Sequence, residues 1–425
     1  MRIIISSDNY QKDSPTEIIT ENQLKVLLLE SSCIETRRLF EKEGFVVEQI
    51  PEALTEEELI NKVKDVHVLG IKTRTIINEK VLYAAKKLLV IGAFCSGTNN
   101  IDMPAVSALG IPVFHSHGAE SRSVAELILG NIILLSRSIH IRNQEMHNML
   151  WNQDINNSHD IYGKTVGIIG YGNAGQKVAE VLGNIGMKVL YNDMNNIPPI
   201  SRNHHQVDLD TLLRESDFIS IHVNASAETE GMIGQREIDL MKPTAFLINT
   251  SRSIIVQMMP LYAALKFNKI AGGAFDVFPS EPTSNYEENW SYLLQSFPNV
   301  ILTPHIGGFT HESEVVVGRE VADDIIRFLL YGDSTYSLNF PEICFDDELY
   351  ENSIRLVNFH RNVPGVLNDV NQILCSYNVE CQNSRSRGNM SYLLADLSIN
   401  DYNVIQDIYK RVLGIKEVVR LRIIL

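Results

Sequence analysis

From residue 25 to about 115, short and mostly apolar runs alternate with amphipathic stretches. Residues 25–29, 66–70, 88–92 and 111–114 each read as a buried strand, because uninterrupted apolar runs suit strands covered on both faces. Strands separated by helical patterns point to a parallel sheet. A long helix is expected over 123–142, where Leu127, Ile128, Ile132 and Leu135 recur at helical spacing. A second alternating block, about 160–305, holds candidate strands at 165–169, 188–191, 218–221, 245–248, 273–275 and 300–302. Six strands with intervening helices suit a doubly wound sheet. A helix over 311–330 then leads to Gly332-Asp333-Ser334, which reads as a linker.

The pattern changes after residue 353. A strand is followed by a helix from about Pro364, two strands within 378–398, a helix over 403–413 and a strand over 417–424. Proline suits the first turn of a helix, where its missing N–H costs nothing. The β-α-β-β-α-β order is that of a ferredoxin-like module, frequent among small-ligand sensors, although order alone does not establish sensing. The expected fold is therefore α/β: two doubly wound, Rossmann-like parallel-sheet domains plus a C-terminal ferredoxin-like module.

Composition narrows the function classes. A length of 425 residues predicts two to three domains, and 44% hydrophobic residues are ample for packed cores. A formal net charge of −15 argues against a nucleic-acid or acidic-membrane partner. No stretch approaches the ~18 apolar residues of a membrane helix, and the apolar run at the N-terminus is too short for a signal peptide. The five cysteines are scattered and form no C-x-x-C pair, so reduced thiols in a cytoplasmic protein are expected.

Gly170-Tyr171-Gly172-Asn173-Ala174-Gly175 carries the G-x-G-x-x-G spacing between an apolar strand and a helix face of Val178, Ala179, Val181 and Leu182. The first glycine permits a tight turn, the second lets a pyrophosphate approach the backbone, and the third lets helix and sheet pack. The phosphates would sit at the positive helix N-terminus. Asp193 lies 18 residues beyond Gly175, at the end of the next strand, where a carboxylate accepts from ribose hydroxyls and repels a 2′-phosphate. Met194, Asn195 and Asn196 follow it with no arginine, so NAD is expected over NADP.

Arg252, Glu281 and His305 stand downstream, and Arg252 and His305 each follow a candidate strand of this sheet. Ligand crevices of open α/β sheets lie beyond the carboxyl ends of their strands. Taken singly each residue is ordinary; together their chemistry closes on the oxidation of a 2-hydroxy acid. Histidine supplies a base near neutral pH, a neighbouring carboxylate raises its pKa and orients its ring, and a guanidinium binds a carboxylate and polarises the forming ketone. His115 and His117 alternate as two metal ligands would, but with no third ligand at a known spacing they read as loop histidines.

With Gly97-Thr98-Asn99, Ser123-Val124-Ala125-Glu126, Leu240-Met241-Lys242-Pro243, Asn249-Thr250-Ser251-Arg252, Phe275-Asp276-Val277-Phe278-Pro279, Ser280-Glu281-Pro282 and Leu302-Thr303-Pro304-His305-Ile306-Gly307-Gly308, the chain resembles the D-isomer-specific 2-hydroxyacid dehydrogenase family, in particular its branch acting on 3-phosphoglycerate. The resemblance implies an NAD-binding domain over 120–306, inserted into a substrate domain formed by 1–119 and 307–335, and a C-terminal ACT domain over 350–425. It implies NAD-dependent oxidation of 3-phospho-D-glycerate to 3-phosphohydroxypyruvate with Arg252, Glu281 and His305 as catalytic residues. Gly170, Gly172, Asn173, Ala174, Gly175, Asp193, Thr250, Ser251, Arg252, Asp276, His305 and Gly308 would contact the cofactor. Lys72, Arg74, Ser96, Gly97, Glu120 and Arg252 would contact the substrate. L-Serine is the implied effector, at His360, Asn362 and the position held by Glu380, and a homodimer or homotetramer the implied assembly.

The departures bear on the substrate. Lys72-Thr73-Arg74 replaces an Arg-Ser-Arg pattern, which weakens bidentate phosphate contact, and Glu120 replaces an asparagine with a charge that opposes a phosphate. Ser253, Gln257 and Asn224 also depart from the family pattern, and Glu380 replaces an asparagine in the effector set. Two alternatives therefore stand beside the main expectation: the same chemistry on another 2-hydroxy acid such as 2-hydroxyglutarate, and a non-catalytic NAD-sensing protein.

Overall fold

The computed structural model describes residues 2–425 apart from 7, 10, 13, 31, 32, 157, 283–289, 346–348, 350 and 351. The chain divides into two compact units, one of residues 118–313 and one of residues 1–117 with 314–425. All five cysteines are free thiols. Among the described residues no single helix is long and apolar enough to cross a membrane.

The central unit is built on a seven-stranded, all-parallel sheet. Its order is His204–Gln206, Lys188–Asn192, Thr165–Ile169, Phe218–Ile221, Phe246–Asn249, Gly272–Phe275 and Val300–Leu302. The chain winds outward in both directions from Thr165–Ile169, which places the topological switch beside the glycine-rich turn. Ile221 pairs with both Ile169 and Asn249, Asn249 pairs with Phe275, and Phe275 with Leu302. These residues form one row, so Gly170, Arg252, Asp276 and Thr303 all follow strands that end at the same edge of the sheet.

Six strands are expected here and seven form. The additional one, His204–Gln206, is too short to show periodicity and is held by a buried polar contact. Tyr171 turns inward beneath the glycine-rich turn, stacks on Tyr191 with ring centroids 3.7 Å apart, and its hydroxyl meets His204 Nδ1 at 2.8 Å. The single helix expected over 123–142 is two, Ser121–Ser136 and Ile139–His147, bent by 69°. Ser138 breaks it by taking left-handed φ of 49°. Ala125, Ile128, Ile132 and Leu135 pack onto Val166, Ile168 and Val178, which makes this helix one wall of the nucleotide fold.

The other unit holds two sheets. A parallel sheet runs Val46–Ile50, Lys25–Leu29, Val68–Ile71, Val90–Ala93 and Val113–His115. An antiparallel sheet runs Val379–Arg387, Met390–Leu397, Ile354–Arg361, Val418–Ile424, Arg2–Ser6 and Thr16–Thr20. Its first four strands, with helices Val366–Leu374 and Tyr402–Gly414, make the ferredoxin-like βαββαβ order. The N-terminal hairpin extends the module: Ile3 pairs with Ile424 and Ile4 with Ile423. Ile3, Ile4 and Ile5 are at most 1% exposed, and burial of each is worth about 1.5–3 kcal/mol, enough to recruit a short strand to an open sheet edge.

Two expectations in this unit are corrected. Pro364 lies ahead of the helix, which begins at Val366 after Gly365 with φ of 98°. Gly332-Asp333-Ser334 is a packed turn and no flexible linker. Asp333 and Ser334 are buried, Asp333 accepts from Arg327 at 2.7 Å and from the Thr335 N–H, and Tyr392 Oη donates to the Gly332 carbonyl. Arg355, buried with Asp396 in a two-point ion pair at 2.8 and 2.9 Å, donates as well to the Tyr331 carbonyl at the end of helix His311–Tyr331.

Candidate active site

The glycine-rich turn follows Thr165–Ile169 and opens helix Asn173–Asn184. Gly170 takes φ of 91°, and a Cβ there would lie 2.6 Å from the His222 carbonyl oxygen. A Cβ on Gly175 would lie 2.0 Å from the Gly170 oxygen, so only glycine lets this helix approach its strand. Gly172 is different: a Cβ there would meet nothing within 4 Å, which leaves that stretch of backbone open to an approaching group. Asn173 and Ala174 form the first helical turn. Asp193 Oδ2 accepts the Tyr171 N–H at 2.8 Å and Oδ1 the Asn195 N–H at 2.9 Å. Each oxygen keeps a second lone pair for a ribose hydroxyl.

The turns that carry Arg252 and His305 are held by two residues to which the sequence assigns no such role. Asn249, 2% exposed, closes the strand into the Arg252 turn. Its Oδ1 accepts from the Ser251 N–H and hydroxyl, each at 3.0 Å, and its Nδ2 donates to the Arg252 carbonyl at 2.9 Å. Asp276, 1% exposed, holds the turn that carries His305. It accepts from the Thr303 hydroxyl at 2.5 Å and from the N–H groups of Ile306 and Gly307 at 3.0 and 2.8 Å. Three of its four acceptor positions thus serve the chain itself, so the residue expected among the cofactor contacts also positions the histidine.

His305 takes φ of 54°, a left-handed conformation that histidine tolerates better than most side chains and that recurs where function demands it. Its Nδ1 lies 2.7 Å from Glu281 Oε2, and Glu281 Oε1 accepts the Phe278 N–H at 3.0 Å. With the Nδ1 proton held by a carboxylate, Nε2 is the nitrogen free to take or give a proton. The Glu281 hydrogen bond raises the imidazole above its ordinary pKa against the opposing effect of burial, with further help from the charges of Glu281 and Asp276. Burial pushes the Glu281 carboxyl up, but the His305 and Phe278 hydrogen bonds and the His305 and Arg252 charges outweigh it and hold it below the usual range. Arg252 donates to the Ser251 carbonyl at 2.7 Å. Gly308 packs on the Glu120 carboxylate, 3.0 Å from where its Cβ would stand.

Lys72, Arg74, Ser96 and Gly97 belong to the other unit. They follow strands Val68–Ile71 and Val90–Ala93, whose ends are level because Ile71 pairs with Ala93. Lys72 Nζ is paired with Glu314 at 2.7 Å, and the Ser96 carbonyl meets His115 Nδ1 at 3.1 Å. His117 stacks on Tyr336 and lies 3.6 Å from Asp324, whose carboxyl is pushed up to about 7 by burial and neighbouring carboxylates. Among the described residues no group of three potential metal ligands forms. In the C-terminal module His360 is buried and held down to about 4 by desolvation. Asn362 donates to the Gly388 carbonyl at 3.2 Å, and the Glu380 carboxylate accepts from Asn378 and Ser398.

Residues 129–307 match the family model of the D-isomer specific 2-hydroxyacid dehydrogenase NAD binding domain. The chain is 42% identical to a D-3-phosphoglycerate dehydrogenase of Dictyostelium discoideum across 96% of its own length and 99% of that protein. This chain belongs to the D-isomer-specific 2-hydroxyacid dehydrogenase family. It is also 36% identical to the D-3-phosphoglycerate dehydrogenase of Escherichia coli K12, over 90% of its length and 93% of that protein. Among solved structures, the NAD-complexed D-isomer specific 2-hydroxyacid dehydrogenase of Lactobacillus delbrueckii ssp. bulgaricus superposes with a TM-score of 0.64 at 25% identity. That likeness covers 74% of this chain and 100% of that one.

Membership makes the protein an NAD-dependent oxidoreductase, and the residues present fit the cofactor. The open backbone at Gly172, the N-terminus of helix Asn173–Asn184 and the spare lone pairs of Asp193 suit a dinucleotide. The buried Thr250 Oγ1 has no hydrogen-bond partner within the described chain, a donor that a bound nucleotide would satisfy.

The His305–Glu281 pair carries a pH signature. A histidine serving as the acid in reduction of a 2-oxo acid must be protonated, so with His305 in that role the rate falls as pH rises through its pKa; serving as the base in oxidation it must be neutral, so the rate rises through the same pKa. Glu281→Gln removes the anion that raises this pKa. Both limbs are expected to move to lower pH, as kcat/KM against pH in each direction will read, while NADH binding is kept.

Proposed function

We propose that this dehydrogenase oxidises 3-phospho-D-glycerate to 3-phosphohydroxypyruvate, the first step of L-serine biosynthesis. The observation that carries the reading is the 42% identity to a D-3-phosphoglycerate dehydrogenase along 96% of the chain, with the Arg252, Glu281 and His305 set intact. In this reading Arg252 holds the substrate carboxylate and draws charge from the forming carbonyl. His305 Nε2 removes the hydroxyl proton, and Glu281 stabilises the resulting imidazolium through Nδ1. NAD, when bound, supplies the acceptor for the hydride leaving C2. The 72–75 loop, with Lys72 and Arg74, takes the anionic end of the substrate.

A second reading, an unphosphorylated or dicarboxylic 2-hydroxy acid, is favoured by one observation. The Lys72 ammonium is already neutralised by Glu314 at 2.7 Å. The deciding assay compares kcat/KM for 3-phosphoglycerate and 2-hydroxyglutarate with NAD, with and without L-serine. A clear preference for the phosphate ester is expected. No turnover of 3-phosphoglycerate, and none of phosphohydroxypyruvate with NADH, sinks the main reading.

L-Serine is proposed as an inhibitor acting at the C-terminal module through His360 and Asn362. The Glu380 carboxylate alters that site relative to the family, and an absence of any serine effect on an active enzyme overturns the regulatory part alone. Self-association, as a homodimer or homotetramer, is supported by the exposed Met146, Met149, Leu150, Trp151, Ile155 and Tyr162 of the central unit.

A further inference from the structure

Glu30 follows strand Lys25–Leu29 in a left-handed conformation, φ of 63°, that a glutamate rarely adopts. Its side chain is directed inward and the residue is only 3% exposed. There the carboxylate accepts three N–H groups of one loop: those of Lys72 and Thr75 on Oε1 at 3.2 and 2.8 Å, and that of Arg74 on Oε2 at 2.9 Å. From the other side Asn100 Nδ2 donates to the Lys72 and Thr75 carbonyls at 2.9 and 2.6 Å. The backbone of residues 72–75 is therefore gripped by an acceptor-only group and a donor. Strain at a buried residue whose side-chain hydrogen bonds all serve a neighbouring loop marks a constraint on that loop's position.

We propose that Glu30 and Asn100 are positioning residues that set substrate affinity by locking the loop bearing Lys72 and Arg74. The inference rests on the reading that this loop meets the anionic end of the substrate. Arg74 Nε stands 3.7 Å from Glu30 Oε2, so the same carboxylate also orients the guanidinium. The chemistry of the clamp is direction-specific. Both oxygens of Glu30 receive N–H donors, so in Glu30→Gln either orientation of the amide sets an NH2 against an N–H. Asn100→Asp does the converse, setting a carboxylate against two carbonyl oxygens. Each substitution keeps the side chain's size and breaks the pattern from one side.

In the purified full-length enzyme both variants are expected to raise KM for 3-phosphoglycerate on the order of tenfold or more, with NADH binding within about twofold of wild type. A merely structural role would lower NADH binding, kcat and the unfolding midpoint together. Should Glu30→Gln fail to fold, Asn100→Asp carries the test, since it leaves the buried carboxylate in place. Folded variants with unchanged KM, or loss of folding in both, overturn the proposal. A wild type inert towards 3-phosphoglycerate sinks the substrate reading alone. Amide exchange across residues 72–75 then decides the clamp: faster exchange in both variants upholds it, and unchanged exchange overturns it.

Discussion

His305→Asn is expected to lower kcat by roughly 10²- to 10⁴-fold, the contribution of a well-placed general base, while leaving NADH binding intact. Asparagine is the informative choice because position 305 has φ of 54°, a conformation asparagine accepts and alanine resists. The amide can still meet Glu281, and the Asp276 bonds to the N–H groups of Ile306 and Gly307 do not involve the side chain that changes. What is lost is an imidazole nitrogen able to take and give a proton. Steady-state rates with 3-phosphoglycerate, beside fluorescence titration of NADH, separate the base from the fold. A variant that keeps wild-type kcat removes His305 from the mechanism.

Arg252→Ala should cost on the order of 10²- to 10³-fold in kcat/KM, the scale of removing a preorganised donor that faces developing charge. The surrounding turn survives the change, because Asn249 grips the backbone of Ser251 and Arg252 and needs nothing from the guanidinium. Arg252→Lys restores the charge without the two-pronged geometry and should recover only part of the loss. Full recovery would show that charge alone suffices. Equal loss of NADH affinity in both variants would show that Arg252 serves cofactor binding and not the substrate carboxylate.

The parts legible in the sequence were those written in local pattern. Ile168-Ile169 running into Gly170 needs a strand, a tight turn and a helix within a few residues, and no distant partner is required to see it. Arg252 and His305 were legible for a related reason: each follows an apolar run whose end must lie at an edge of the sheet. Gly332-Asp333-Ser334 misled because turn composition looks the same whether the turn is exposed or, as here, packed around Arg327 and Tyr392. The N-terminal hairpin escaped notice because its partner strand, Val418–Ile424, lies at the far end of the chain. Asn249 and Asp276 stand inside the Asn249–Arg252 and Phe275–Pro279 motifs, but their work is to hold backbone groups up to 31 residues away, which spacing does not reveal.

By itself the sequence determined the α/β alternation and the nucleotide turn, and it put forward Arg252, Glu281 and His305 as candidates, since periodicity, glycine geometry and side-chain chemistry are local properties. Tertiary structure alone decided which nitrogen of His305 is free, because that depends on Glu281 meeting Nδ1. It alone decided that Lys72 is already paired, and that Glu30, an ordinary glutamate in the sequence, anchors a loop 42 to 45 residues away. Hydrogen bonds and ion pairs act over a few ångströms of space, and only the folded chain brings residues so distant in sequence within that reach.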